Sequence, residues 1–464
     1  MMQRRHFLKA AGSAAIASAG LLGRPAMYSA HAASVSGYKA LVCVFLYGGL
    51  DNYDVLLPYD PASYAAFRGI RQTLMATQGA RRQRESLLPI VPDDPALLGG
   101  REIALPPEMP QLKRLFDAGQ AAVVANVGPL IEPVTRQQFE AGSVRLPPRL
   151  FSHNDQQATW QASAPEGAQF GWGGLFADAV LAAGGNASGI EFTTIASADV
   201  GPYLSGRVAR PYQISPAGAA RVDLLDDLRE ETGAGSALFA ALRGQLRAGQ
   251  FTSSHILQQD VADALGGSFL SNERYDQATL AAASVQTAFP AGPLGGQLRA
   301  VARTIAARSQ LSVSRQVFFV GLGGFDTHSG QATALPALLS EIDGSLSAFH
   351  AAMNELGVGQ DVTLFTASDF GRTLAVNGDG TDHGWGGHSF VLGGSVRGRQ
   401  VYGAVPPAEF GHDADAGGGR LIPAVSVEQF AAPLGRWFGL DESALAVALP
   451  NLANFGGAGP AFLV

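Results

Sequence analysis

This sequence has almost no cysteine, few charges, no surplus of cations and no long apolar run outside its first residues, and each scarcity excludes something. Its one cysteine among 464 residues is Cys43, so no disulfide forms within the chain. Set between Leu41-Val42 and Val44-Phe45, Cys43 reads as a small core hydrophobe rather than a reactive thiol. Only 15% of residues are charged and the net charge is −7, which argues against a nucleic-acid partner because phosphate binding relies on clustered cations. The short run Arg81-Arg82-Gln83-Arg84 has Glu85 beside it and reads as a solvated loop. Past the first residues no stretch is long and apolar enough to span a bilayer. What is present is apolar material, 47% of the chain, enough for one large domain or a domain with a cap.

The chain opens with Arg4-Arg5-His6-Phe7-Leu8-Lys9, a mildly hydrophobic Ala/Gly-rich stretch and Ala30-His31-Ala32. That order reads as a twin-arginine export signal with a small-residue cleavage site. Residues 1–32 are therefore set apart from 33–464, and the expected destination is periplasmic or secreted.

Along the remainder, strand-like runs alternate with helix-like ones. Tyr38 to Tyr47 is a continuous apolar run of the kind buried on both faces of a parallel sheet. Further strands are expected at Ala121 to Val127, Gly189 to Ala196, Arg315 to Val320 and Asp361 to Phe365. Helices are expected at Pro107 to Ala118 and Gln331 to Leu356. Between 199 and 300 the pattern turns to Ala/Leu-rich helices, including Leu238 to Leu246 and His255 to Leu265, and reads as a helical insertion or cap. The acidic run Asp223-Leu224-Leu225-Asp226-Asp227 reads as a solvated helix start.

Three strand ends share one design. Gly48-Gly49 precedes Asp51, Gly323-Gly324 precedes Asp326 and His328, and the run ending at Phe365 precedes Asp369. In a parallel sheet these ends lie on one edge, where ligands of open α/β sheets bind. Three carboxylates brought together repel unless a cation neutralises them. The glycine-rich stretch Thr366 to His388 adds Arg372, Asp382, His383 and His388, and is expected to be a loop. Imidazoles beside carboxylates favour zinc, manganese or iron over calcium. Upstream, Ser152-His153 opens a helix-like run. Ser152 there is either an N-cap or a hydroxyl facing an anion at a helix N-terminus. His255, His350 and His412 are expected to lie away from the site.

The order of these residues resembles the alkaline phosphatase superfamily. More closely, the signal, the Gly-Gly-x-Asp start, Ser152-His153, Asp326-Thr327-His328, Ser368-Asp369-Phe370-Gly371-Arg372-Thr373, His383-Gly384-Trp385-Gly386-Gly387-His388 and Arg436-Trp437-Phe438-Gly439 resemble domain of unknown function 1501. The resemblance implies an α/β fold with a mostly parallel sheet flanked by helices. It also implies one or two divalent metals, with Asp51 and Asp369 holding one and Asp326, His328 and His388 or His383 the other. Ser152 would be the nucleophile or give way to a metal-bound hydroxide, with His153 and Arg372 assisting. The implied reaction is hydrolysis of a phosphate or sulfate ester, on a small molecule or a polymer. The alternative is a non-catalytic metal- or ligand-binding envelope protein on the same scaffold.

Two departures from the superfamily pattern stand out. Phe370 occupies the place where a histidine usually follows the second Asp, so a ligand is lost unless His383 or His153 replaces it. The Asp326 to His328 spacing is also short, which suits a single-metal site. No segment suits formylglycine formation: Ser163-Ala164-Pro165 is followed by Gly167 where Arg should stand.

Overall fold

The computed structural model describes residues 36–198, 200–220, 227–228, 231–248 and 256–464. The signal-like segment with His6 and His31, the acids Asp223 and Asp226, and His255 lie outside the described residues. The strands are β1 Lys39–Leu46, β2 Leu57–Pro58, β3 Leu88–Ile90, β4 Ile103–Leu105, β5 Ala121–Gly128, β6 Thr194–Ala196, β7 Tyr212–Ser215 and β8 Gly218–Ala219. They continue with β9 Arg315–Leu322, β10 Val362–Ser368, β11 Arg372–Asn377, β12 Gly380–His383, β13 Gly387–Leu392, β14 Val401–Gly403 and β15 Val425–Ser426.

Ten of them form one mixed, largely parallel sheet in the order β14-β5-β13-β10-β1-β9-β6-β7-β8, with β15 also on β5. The α/β class with helices on both faces is thus the one found. β1 is central because every residue from Ala40 to Leu46 is apolar and can be buried on either face. Its alternate side chains enter two separate cores. Ala40, Val42, Val44 and Leu46 pack under helices Pro110–Asp117, Pro293–Ala306 and Gln331–Glu355. Leu41, Cys43 and Phe45 pack under Trp160, Trp172, Phe176 and Phe430 from helices on the other side. Cys43 is fully buried there, and burial pushes its thiol pKa well up.

The parallel neighbours β10 and β9 flank β1 in flush register, with Leu46 opposite both Ser368 and Leu322. Their carboxyl ends therefore lie side by side, and the three Asp-bearing turns leave the same sheet edge. Gly48, with φ +113°, lets the turn after β1 close against the turn after β9, since a Cβ there would sit 2.2 Å from the Asp326 nitrogen. Gly thus serves both a left-handed backbone and a close approach.

The expected loop from Thr366 to His388 is mostly strand. Arg372–Asn377 and Gly380–His383 pair as an antiparallel hairpin that sets Arg372 opposite His383. The signal for it was Asn377-Gly378 after the run Thr373-Leu374-Ala375-Val376, with Gly378 at φ +61°, as a two-residue hairpin turn requires. The strand expected over Gly189 to Ala196 shrinks to Thr194–Ala196, because Ile190–Phe192 turns as a short 3-10 helix. Within 199–300, β7 and β8 extend the main sheet, and the long helices are Ala234–Ala248 and Ile256–Ala281.

Candidate metal centre

His153 opens helix His153–Ala162 after a strained entry, since Arg149 and Phe151 both hold positive φ (48° and 70°). Backbone strain of this kind costs of order 1–3 kcal/mol and survives where the surroundings over-determine it. Here it aims the Phe151 carbonyl at His383, whose Nδ1 lies 2.8 Å away. A carbonyl only accepts, so His383 carries its proton on Nδ1 and presents Nε2 as a bare lone pair.

The same logic applies to one more ring, His153, whose Nδ1 lies 2.6 Å from Asp369 Oδ2. The Asp382 carboxylate stands 3.3 Å from His328 Nδ1 without a hydrogen bond. All three rings turn Nε2 toward Asp326. The Nε2 atoms of His328, His383 and His153 stand 3.1, 3.2 and 3.5 Å from Asp326 carboxylate oxygens. His328 and His383 bring their Nε2 atoms to 2.7 Å of each other. One proton on His328 relieves that contact, but His383 Nε2 still faces Asp326 with no proton between them.

A cation resolves the conflict. Metal–nitrogen and metal–oxygen bonds of about 2.0–2.1 Å at tetrahedral angles place donors about 3.3 Å apart, close to the spacing seen. His153, Asp326 and His383 in particular offer ligand atoms all within 4.8 Å of one another. His153 Nε2 is buried with no hydrogen-bond partner, the state of a lone pair waiting for a metal. The donor set of imidazoles and one carboxylate suits zinc, iron or manganese.

Arg372 anchors Asp326. Its guanidinium has no exposed surface and donates to Asp326 Oδ1 at 3.0 Å, to the Gly48 carbonyl at 2.8 Å, and to Thr381. Partial burial would raise the Asp326 pKa, but the hydrogen bond and charge of Arg372 outweigh it and hold the carboxyl below its usual range. The hydrogen bond that Asp369 accepts raises the His153 pKa, whereas burial lowers that of His383. Asp369 is itself tied by Gln157 Nε2 at 2.8 Å and the Gly48 amide at 3.2 Å. Phe370 packs its ring against His153 and His383, with centroids 4.8 and 4.7 Å apart. Phe370 thus walls the cluster, and His153 supplies an imidazole beside it.

Three of the expected ligands take other places: Asp369 faces the Nδ1 side of His153, and Asp51 and His388 lie outside the cluster. Asp51 leaves the right sheet edge but turns away: Arg71 grips both its oxygens at 2.6 and 3.1 Å, Gln331 donates to it, and it caps helix Asn52–Val55 through the Tyr53 amide. The expectation of three carboxylates at one point is therefore corrected, because a guanidinium already neutralises the first. His388 is buried in strand β13, where its Nδ1 accepts from the Asn126 amide at 3.1 Å. Desolvation pushes its pKa down to about 4. Ser152 occupies the N-cap position without capping and donates its hydroxyl to Asp155 Oδ2 at 3.0 Å. His350 pairs with Gln120 and Asn354, outside the cluster. His412 turns Nδ1 to the Ala414 amide.

Gln157 was missed as a member of the constellation, and Asp382 was read in the glycine-rich stretch without a role of its own. Asp382 stood in the sequence one residue before His383, and strand alternation sends these neighbours to opposite sides of the hairpin. Gln157 carried a helical signal, four residues after His153 on the same face.

Fold and site together define an α/β protein with a histidine-carboxylate cluster that could hold a metal ion at the carboxyl edge of a mostly parallel sheet. The sequence matches the family described as "Protein of unknown function (DUF1501)" over residues 38–451, and the chain belongs to that family. No curated protein matches it. Among solved structures, Ps i-CgsB in complex with k-i-k-neocarrahexaose is 9% identical, with 91% of this chain and 77% of that one covered and a TM-score of 0.37. The PsFucS1 sulfatase from Pseudoalteromonas sp. is 10% identical over 88% and 68%, TM-score 0.33. A Bacteroides thetaiotaomicron protein of glycosaminoglycan metabolism, BT33494S-sulf, is 10% identical over 88% and 74%, TM-score 0.35. Among the described residues no helix is long and apolar enough to cross a membrane.

Proposed function

We propose that this chain is an exported, single-metal hydrolase of a phosphate or sulfate ester. The observation that supports it is the convergence of three Nε2 atoms on Asp326 while the Nδ1 atoms of His153 and His383 are held by oxygens. When bound, zinc, manganese or iron supplies Lewis-acid polarisation of an ester oxygen and makes water more acidic. The chain does the rest. Asp369 and the Phe151 carbonyl fix the tautomers of His153 and His383, so these rings bind as neutral ligands in preset orientations. Arg372 keeps Asp326 ionised from behind and, having no exposed surface, positions that carboxylate rather than touching substrate. Asp326, Asp382 and His328 are the most exposed members, at 47%, 45% and 41% of their side chains, so substrate enters on their side. Phe370 closes the opposite wall against water. With the Ser152 hydroxyl engaged by Asp155, the attacking group in this reading is water. The Arg4-Arg5 motif supports passage through the twin-arginine route, which carries folded proteins.

A second reading, a metal-binding envelope protein without turnover, draws on the same site: four protein donors make a closed shell of the structural kind. Elemental analysis of the full chain after export, paired with aryl phosphate and aryl sulfate turnover, separates them. One metal per chain with turnover lost on chelation is expected. One metal without turnover on either ester moves the conclusion to the second reading, and less than half an equivalent of metal in protein and in His153→Ala alike sinks both.

A further inference from the structure

Beside the histidine-carboxylate cluster, the carboxyl edge of the sheet carries a cavity of about 470 Å³, within the size range of small-molecule sites. Helix His153–Ala162 turns Asn154, Gln157 and Gln161 to it, a spacing that keeps them on one helical face. Tyr47, one residue past β1, also lines it. Both sides lead to the cluster. Asn154 follows His153 directly, and Gln157 Nε2 holds Asp369 at 2.8 Å. The Tyr47 carbonyl accepts from the Phe325 amide at 3.2 Å, one residue before Asp326.

The side-chain amides on this face are fixed in orientation by what they already bind. Gln161 is 4% exposed, and its Oε1 accepts the Tyr203 amide at 3.3 Å. Its Nε2 is therefore the atom left to donate, and among the described residues nothing receives from it. Gly201, also on the cavity, makes room for that amide, since a Cβ there would stand 2.3 Å from Gln161 Oε1 and 3.4 Å from Nε2. Held by the Tyr203 contact, this donor meets a ligand oxygen at little cost in side-chain entropy. Gln157 is the converse: a carboxylate only accepts, so its Nε2 faces Asp369 and its Oε1 is the free acceptor. Asn154 Nδ2 leans on Glu166 Oε1 at 3.4 Å, which leaves Asn154 Oδ1 and Glu166 Oε2 as further acceptors. A donor and several acceptors along about 6 Å of helix match hydroxyl groups, each of which gives and takes a hydrogen bond. Among the residues lining the cavity there is no Lys, Arg or His, and Glu166 is the one charged group. An anion placed there meets that carboxylate with no cation to answer it.

We infer that this cavity binds an uncharged polyhydroxylated group and excludes anionic ones, with Gln161 Nε2 donating, Gln157 Oε1 and Asn154 Oδ1 accepting, and Glu166 as the excluding charge. On the hydrolase reading, on which this role rests, the group is the alcohol part of the ester, so the substrate carries its one anionic charge at the reacting end. Ligand-observed saturation-transfer NMR on the full chain tests it. The probes are the methyl glycosides of glucose, galactose and mannose, with methyl glucuronide and methyl galacturonide as charged counterparts. Saturable binding of at least one neutral glycoside is expected, with the uronides about fivefold or more weaker. Gln161→Met is expected to weaken the neutral glycoside about three- to tenfold, and Asn154→Ala serves in its place if that variant does not fold. Glu166→Gln is expected to bring a uronide up to the affinity of its neutral counterpart. No saturation by any neutral glycoside, uronides bound as tightly as neutral glycosides, or affinities unchanged in these variants overturns the site. Metal content and aryl-ester turnover of the same protein keep the two readings apart. Glycoside binding without turnover leaves the cavity assigned and sinks the hydrolase; turnover without glycoside binding does the reverse.

Discussion

Asp51 and Asp326 begin as the same motif and end as opposites. Each follows a central parallel strand and a Gly-Gly pair, and the two strands end flush in register. Asp51 is 1% exposed and gripped by Arg71, with Gln331 and the Tyr53 amide completing its shell. Asp326 has a side chain 47% exposed and faces imidazoles whose protons lie on the far nitrogen. A carboxylate whose two oxygens are both taken by a guanidinium becomes structure. One that a guanidinium holds by a single oxygen, with imidazoles on its open side, is left free to act as a site.

The largest effect that tests this contrast is on stability. Arg71→Met leaves Asp51 as an uncompensated buried charge and is expected to cost about 3–5 kcal/mol, read by chemical denaturation, with metal content unchanged. A loss under about 1 kcal/mol, or an altered metal stoichiometry, would return Asp51 to the site.

Next in size is a pH effect in the other displaced residue. The folded pKa of His388, about 4, lies below its unfolded value of about 6.5, so the folded state binds fewer protons. Stability is therefore intact above about pH 6.5 and falls as pH drops toward 4, by up to roughly 3 kcal/mol. His388→Gln should flatten that part of the stability profile; a profile that keeps its full slope would place the titration elsewhere.

On the metal side, Asp369→Asn removes the acceptor that sets the His153 tautomer without removing a ligand. Metal affinity is expected to fall about 10–100-fold, measured by competition with a chromogenic chelator, while Asp326→Asn should abolish stoichiometric binding. Equal losses in the two variants would make Asp369 a ligand. Smallest is Ser152→Ala, which breaks one hydrogen bond to Asp155 and should cost about 1 kcal/mol or less, with metal affinity and ester turnover retained. Loss of turnover at constant metal would restore Ser152 as nucleophile.

Much of this was legible beforehand because it is local. The β1 run, its glycine turn, and the approach of Asp326, His328 and Asp369 to one sheet edge follow from apolar continuity and parallel topology. His153 was legible as a substitute for the histidine missing at Phe370, and it stands in the cluster. The hairpin from Arg372 to His383 was hidden by glycines that suggested a loop, although Asn377-Gly378 marked the turn. Helix register was readable for Gln157 only with the role of His153 in hand.

By itself, then, the sequence determined which strands are buried on both faces and that acids and imidazoles gather at their carboxyl ends, since period, glycine conformation and strand direction are properties of nearby residues. Only the tertiary structure decided which carboxylate is closed off by a guanidinium at both oxygens and which meets imidazoles besides. Arg71 lies 20 positions from Asp51, and His153 lies 216 from Asp369. No local pattern encodes such pairings, because a charge's partner is chosen by how helices and turns pack over the sheet edge, and in a desolvated setting that choice fixes whether the charge is neutralised or left to hold a metal.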